Sequence, residues 1–267
     1  MRQRARPLKS ASQNNPSVTS PTSHTSMYQL AIKKYLERHG FETLRPKAVL
    51  FDMDGVLYDS MHNHAIAWQE SMAQFGIHMT ADDAYATEGA RGVDTIRQMV
   101  KRQQGRDIDE AEAQKMYDVK SRIFHSLPET SLMPGILDLM HQIHDHDIQI
   151  GVVTGSGQRP LIQRILRDFG EFVDEKHITT AYDVRHGKPN ADPYLMGLRK
   201  AGNLHPWEAI VIENAPLGIQ AGAAARIFTI AVNTGPLADD ILLNAGANLL
   251  FPTMQDLCNH WNDLYTE

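Results

Sequence analysis

Five short, largely apolar runs punctuate the chain and leave it few folds to choose from: Ala48–Phe51, Ile148–Thr154, Ala209–Ile212, Phe228–Val232 and Ala247–Phe251. Each has strand length and is rich in β-branched or aromatic residues. A strand that is apolar at every position must bury both faces. A weaker run lies at Ile178–Ala181. Helical patterns separate most of them, at 135–144, 158–169, 191–201 and 216–225. Strand–helix alternation of this kind predicts a parallel sheet covered by helices on both faces.

The alternation breaks once. Residues 60–127 carry no convincing strand. Met61, Ala65, Trp68, Met72 and Phe75 recur at helical spacing before Gly76, and Thr80 with Asp83 reads as a helix N-cap. Met116, Val119, Ile123 and Leu127 mark a further helix, and the chain re-enters the core through Pro128 and Pro134-Gly135. The expected fold is therefore α/β: a Rossmann-like, doubly wound parallel sheet interrupted after its first strand by an α-helical insertion. The expected boundaries are a tail at 1–26, a core at 27–58 and 133–267, and the insertion at 59–132. A helix starting near Ser26, with Leu30, Ile32, Tyr35 and Leu36 inward and Gly40 as its stop, precedes the first strand.

Composition removes several classes. No apolar run reaches the roughly 18 residues that cross a bilayer. A single cysteine, Cys258, forms no internal disulfide. The net charge of −6 argues against a basic surface for nucleic acid, and means that an anionic substrate needs local cations. The first 26 residues are rich in Ser, Thr, Pro and Asn and hold Arg2, Arg4, Arg6 and Lys9 without an acid. They read as a disordered extension. A transit peptide is the second reading, weakened by the lack of an amphipathic helix before Pro16. A cytoplasmic monomer or weak dimer is expected, with no nucleic-acid or membrane partner.

Chemistry concentrates at the ends of the apolar runs. Asp52-Met53-Asp54-Gly55 follows the first directly. A fully buried strand should not end in two carboxylates unless something neutralises them, and Mg²⁺ is a natural hard, oxygen-seeking candidate. A solvated Asx-rich turn fits the same residues. Thr154-Gly155-Ser156-Gly157 ends the second run; a hydroxyl and small residues let backbone N–H groups approach an anion. It is not a dinucleotide loop, because Gln158, Arg159 and Pro160 stand where the third glycine belongs. Gly187-Lys188-Pro189 supplies a held cation, and Glu213-Asn214 ends the Ala209 run.

These four elements, in this order, resemble the haloacid dehalogenase superfamily of phosphohydrolases, over roughly residues 47–252. Val211-Ile212-Glu213-Asn214-Ala215-Pro216-Leu217-Gly218-Ile219, followed by Ala221-Gly222, looks like the fourth motif of the β-phosphoglucomutase-like branch. The insertion resembles that branch's helical cap. The resemblance implies that Asp52 attacks phosphorus and becomes an aspartyl-phosphate, and that Asp54 protonates the leaving oxygen and then activates water. It implies that Thr154 with Gly155 and Ser156 holds the phosphoryl oxygens, that Lys188 offsets the negative charge, and that Mg²⁺ is held by Asp52, the Asp54 backbone carbonyl and the fourth motif. That motif usually carries two acids. Here the second is Asn214, which leaves either Asn214 or Glu213 as the ligand, with Asn214 favoured by position.

The cap offers Glu88, Arg91, Lys120 and His64 as substrate-reading groups, each with a solvated or structural role as the alternative. Arg91 suits a leaving group or second phosphate. Glu88 is expected to approach Mg²⁺ when the cap closes, supplying charge that Asn214 lacks; the alternative is a surface pair with Arg91. Trp68, Trp207 and Trp261 read as core or interface, and His141, His144 and His146 as a solvated helix end rather than a metal site. The expected function is a Mg²⁺-dependent phosphohydrolase acting through an aspartyl-phosphate on a small phosphorylated metabolite, a sugar phosphate or inorganic pyrophosphate. A β-phosphoglucomutase-like phosphomutase is the near alternative. A phospho-accepting signalling or binding protein is the distant one, since receiver domains lack the D-x-D pair and the cap.

Overall fold

The structure is a computed structural model that describes residues 21–157 and 159–264, with side chains described from Met27 onward. Six strands form one parallel sheet: β1 (Ala48–Phe51), β2 (Gln149–Val153), β3 (Ile178–Thr179), β4 (Ala209–Glu213), β5 (Phe228–Val232) and β6 (Leu249–Phe251), in the order β3-β2-β1-β4-β5-β6. The five strong apolar runs are the five longer strands. The weak run is a two-residue edge strand.

Helices α1 (Pro21–His39), α2 (Met61–Ala73), α3 (Ala81–Ala86), α4 (Gly92–Gln104), α5 (Glu110–Ser126), α6 (Ile136–Asp145), α7 (Arg159–Phe169), α8 (Asp192–Lys200), α9 (Pro216–Ala224), α10 (Asp239–Asn244) and α11 (Met254–His260) complete the described chain. The pleat divides the core between the sheet's two faces. Val49, Phe51, Ile150 and Val152 pack with residues of α1, α6, α7 and α11. Ala48, Leu50, Val153 and Val211 pack with Tyr194 and Leu198 of α8 and Ala221 of α9. Continuous apolarity is what a strand covered on both sides requires.

Helices α2 to α5 bury their own cluster, which includes Trp68, Met72, Ile96, Met99 and Met116. Phe75, expected on the apolar stripe, is exposed, because α2 ends at Ala73. Thr80 N-caps α3 through a reciprocal box: its Oγ1 accepts from Asp83 N–H at 3.0 Å, and Asp83 Oδ2 accepts from Thr80 N–H at 2.9 Å.

Helix α1 begins at Pro21, ahead of the expected Ser26, so residues 21–26 are helix and not tail. Proline is preorganised for a first helical position. The tail reading for residues 1–20 lies outside the described residues. Tyr28 and Tyr35 bury themselves from α1, while Leu30, expected inward, is exposed. His141 and His144 set their ring edges against Phe172, and His146 Nε2 lies 2.9 Å from Asn262 Oδ1. Among the described residues no cluster of three or more His, Cys, Asp or Glu side chains suits a metal, and no helix is long and apolar enough to cross a membrane.

Candidate active site

The strand order reverses at β1: the chain runs outward through β2 and β3, then returns to pair β4 on the other flank. Such a reversal opens a crevice beyond the carboxyl ends of the strands. Phe51 pairs with both Val152 and Ile212, so Asp52, Thr154 and Glu213 emerge at nearly the same level. The sheet places them together without any long loop.

Lys188, in the loop before α8, reaches into this crevice and is 4% exposed. Its Nζ donates to Asp52 Oδ1 at 2.5 Å, to Glu213 Oε1 at 2.6 Å and to the Val153 carbonyl at 3.2 Å. Burial opposes its charge, but Asp52 and Glu213 outweigh burial and hold its pKa above the ordinary lysine value. Burial and then the Glu213 charge push Asp52 upward, against the pull of Lys188.

Both oxygens of Glu213 are taken by protein donors. Oε1 accepts from Lys188 and from the Tyr194 hydroxyl at 2.7 Å, and Oε2 from the N–H groups of Asn214 at 3.1 Å and Ala215 at 3.3 Å. This geometry gives no support to Glu213 as a metal ligand. Asp52 Oδ2 and Asn214 Oδ1, by contrast, are buried without a partner. Orphaned buried oxygens call for a donor or a cation, and two from an acid and an amide suit hard Mg²⁺. Gly55, at φ +76°, leaves room beside them: a Cβ there would lie 2.0 Å from Asn214 Nδ2. The residues present fit the ion.

Asp54 faces the cap. Its Oδ1 accepts from the Ser60 hydroxyl at 2.5 Å and lies 3.0 Å from His64 Nε2. His64 Nδ1 is 2.7 Å from Lys120 Nζ. Lys120 is buried among the rings of Phe124, Trp68 and Tyr117, with centroids at 4.9, 5.2 and 5.9 Å. Burial would raise the Asp54 pKa, but His64, Ser60 and Lys120 together bring it down to about 2. Burial lowers Lys120 to about 8. Burial, with Asp54 and Asp52 adding, pushes Glu88 up to about 8.

The cap is closed on the core. A Cβ at Gly155 would lie 3.0 Å from the Gly89 carbonyl, and one at Gly187 would lie 2.7 Å from Arg91 Cγ. The cleft between them holds about 40 Å³, and Asp52, Asp54, His64, Glu88, Lys120, Thr154, Gly155 and Ser156 all line it. Thr154 Oγ1 accepts from the Ser156 N–H at 3.1 Å, which braces the loop.

Arg91 is not among the lining residues. Asp94, one turn along α4, grips its guanidinium at 2.8 and 3.0 Å, in place of the expected alternative pair with Glu88. Ser60, Tyr117 and Tyr194 are participants that the sequence reading missed. Tyr117 carried a usable signal, since it stands three residues before Lys120 on one helix face. Ser60 and Tyr194 carried none. Trp68, placed in the core, is both buried there and part of the cleft wall.

The pattern of the haloacid dehalogenase-like hydrolases matches residues 49–232. Validoxylamine A 7'-phosphate phosphatase of Streptomyces hygroscopicus subsp. limoneus is 30% identical over 188 residues, covering 70% of this chain and 86% of that protein. Beta-phosphoglucomutase of Bacillus subtilis (strain 168) is 29% identical over 226 residues, covering 80% and 95%. A solved structure from Bacteroides vulgatus, provisionally named a beta-phosphoglucomutase, is 48% identical with a TM-score of 0.86, covering 90% of this chain and 97% of its own. The family match runs from β1 to the end of β5 and takes in every strand end that carries the site; on it, the chain belongs to the haloacid dehalogenase-like hydrolases and is an enzyme.

Proposed function

We propose that this enzyme is a Mg²⁺-dependent phosphohydrolase that passes the phosphoryl group of a small phosphorylated metabolite to Asp52 and then to water. Asp52 lies at the switch point of the sheet, with Lys188 fixing one carboxylate oxygen. Its attack forms an O–P bond as the bond to the leaving oxygen breaks. Lys188 and the Thr154 loop, which lines the cleft through Thr154, Gly155 and Ser156, then face the charge on the equatorial oxygens. Asp54 is ionised in the closed cleft, the form that takes a proton from the attacking water in the second step. In the first step the negative charge of the substrate raises its pKa, so that it carries the proton given to the leaving group. The Asp52 carboxylate, the Asp54 carbonyl and the Asn214 side-chain carbonyl would hold Mg²⁺, which supplies charge neutralisation between nucleophile and phosphoryl oxygens.

One observation carries the choice of hydrolysis over mutation: what the cap presents to the cleft. A mutase must grip a second phosphate while a bisphosphate turns round. Among the described residues, Lys120 is the only lysine or arginine of the cap that lines the cleft; Glu88 brings an acid that burial and the core carboxylates keep protonated, and Arg91 is bound by Asp94. That balance suits a small leaving group that shares the metal, which makes inorganic pyrophosphate a candidate beside small sugar phosphates. Glu88 already lines the closed cleft, and with Mg²⁺ bound it would ionise and add the charge that Asn214 lacks. The mutase reading has its own support in the sealed cleft, since about 40 Å³ leaves little room for bulk water near Asp52.

The test is a phosphate-release screen with Mg²⁺ over sugar phosphates, nucleotides and pyrophosphate, run beside a β-glucose 1-phosphate isomerisation assay. Release by the wild type and none by Asp52→Asn is expected. Isomerisation without release would make the enzyme a mutase. Beryllofluoride trapping without turnover of any ester would favour the non-catalytic reading.

A further inference from the structure

Helix α8 holds the site lysine from two directions. Lys188 lies just ahead of it, and Tyr194 sits in its first turn, fully buried, with its ring centroid 5.2 Å from Lys188 Nζ. The Tyr194 hydroxyl donates to Glu213 Oε1 at 2.7 Å, the same oxygen that accepts from Lys188 at 2.6 Å. The opposite side of that carboxylate is held too. Oε2 takes two backbone N–H groups, and a Cβ at Gly218 would stand 1.7 Å from Oε1. One turn along α8, Gly197 docks the helix against Leu50 of β1 and Val153 of β2, where a Cβ would lie 3.0 and 3.1 Å from their side chains.

The N–H contacts to Oε2, at 3.1 and 3.3 Å, are longer than the 2.7 Å contact from the phenol, so without Tyr194 the Oε1 end of the carboxylate would be held mainly by the mobile ammonium itself. A second, rigid donor on that oxygen removes this dependence. Burial and the charges of Glu213 and Asp52 hold the phenol well above its ordinary pKa, so it remains a donor.

We propose that Tyr194 is a positioning residue: its hydroxyl clamps Glu213, and Glu213 in turn keeps Lys188 on the Asp52 carboxylate. The proposal rests on Asp52 being the phosphoryl acceptor. Tyr194 is not among the residues that line the cleft. Its effect passes through two other side chains and should appear in the rate of phosphoryl transfer, not in substrate binding.

Tyr194→Phe keeps the ring and removes the hydroxyl. With the best substrate from the screen, kcat should fall at least tenfold while KM stays within about twofold, and beryllofluoride should bind more weakly to the variant. Tyr194→Leu, which also removes the ring, should lower the melting temperature further without restoring kcat. A crystal structure of Tyr194→Phe reads the positioning without any turnover, with Lys188 Nζ displaced from Asp52 or Glu213 as the expected result. A variant with unchanged kcat, or with Lys188 still bridging both acids, would overturn the proposal. A wild type inactive on every ester would remove the phosphohydrolase reading alone, and the crystal structure would still decide the role of Tyr194.

Discussion

Asp52 illustrates how one side chain depends on its surroundings. It is buried, pushed toward neutrality by burial and Glu213, and kept available as an anion by Lys188. Asp52→Asn retains the volume and removes the nucleophile. Phosphate release should fall by more than about a thousandfold while thermal unfolding remains cooperative. A loss of only about tenfold, roughly 1.4 kcal/mol of barrier, would be too small for a covalent nucleophile. Glu88 gives a pH signature. In chelator the folded cleft keeps its proton up to about pH 8, whereas the unfolded chain releases it near the ordinary glutamate value of about 4.3. Between those limits the folded state binds more protons, so stability falls as pH rises through the window. Glu88→Gln should flatten that part of the melting-temperature profile and melt higher than wild type at pH 9. An unchanged slope would show that Glu88 is not held protonated.

At the scale of elements, short motifs act through close approach. Helix α9 begins directly after the site motif and passes so near Glu213 that its third residue, Gly218, has no room for a methyl group. Gly218→Ala must push the carboxylate, and with it Lys188. The expected cost is about 1–3 kcal/mol of overpacking, with a loss of turnover larger than the stability change alone produces. Near-normal kcat with a lowered melting temperature would mean that the carboxylate tolerates displacement. Helix α3, at only Ala81–Ala86, depends on its N-cap. Thr80→Ala should cost about 1 kcal/mol, measured by denaturant unfolding, and act through the cap without touching Asp52.

For the whole molecule, the question is how the site's charges are balanced when the cap is shut. Asp52, Asp54 and Glu88 all face the closed cleft, and Lys120 is the cap's cation there. A divalent ion bound only by the folded state should raise the melting temperature steadily with Mg²⁺ concentration. Asn214→Asp adds a negative charge at a buried oxygen that has no partner. In chelator this variant should melt below wild type, and in millimolar Mg²⁺ the gap should close or reverse. A variant whose deficit is the same with and without Mg²⁺ would remove Asn214 from the metal site.

The sheet and the acids at its edge were legible in the sequence because both depend on local pattern. A continuous apolar run needs two covered faces wherever it lies, and a carboxylate directly after such a run must sit at the strand's end. Asp52, Asp54 and Thr154 could be found in that way, whereas Lys188 stands in a loop and was read from its place between Gly187 and Pro189. The box at Thr80 was equally legible, because its partners are three residues apart. Other features depended on meetings between distant segments. Whether Glu213 or Asn214 is open to a metal turns on Lys188 and Tyr194, which reach across to the end of β4 from the loop before α8 and from α8 itself. The loss of Arg91 from the cleft turns on whether Asp94, only three residues away, outcompetes a phosphate for the guanidinium, which spacing does not decide. The start of α1 at Pro21 was hidden because residues 21–26 have little apolar periodicity of their own. The sequence by itself determined the strand ends and the chemistry they carry; only the tertiary structure decided which of those charged groups bind one another and which are left for a ligand, because that choice is made by side chains brought together across the fold.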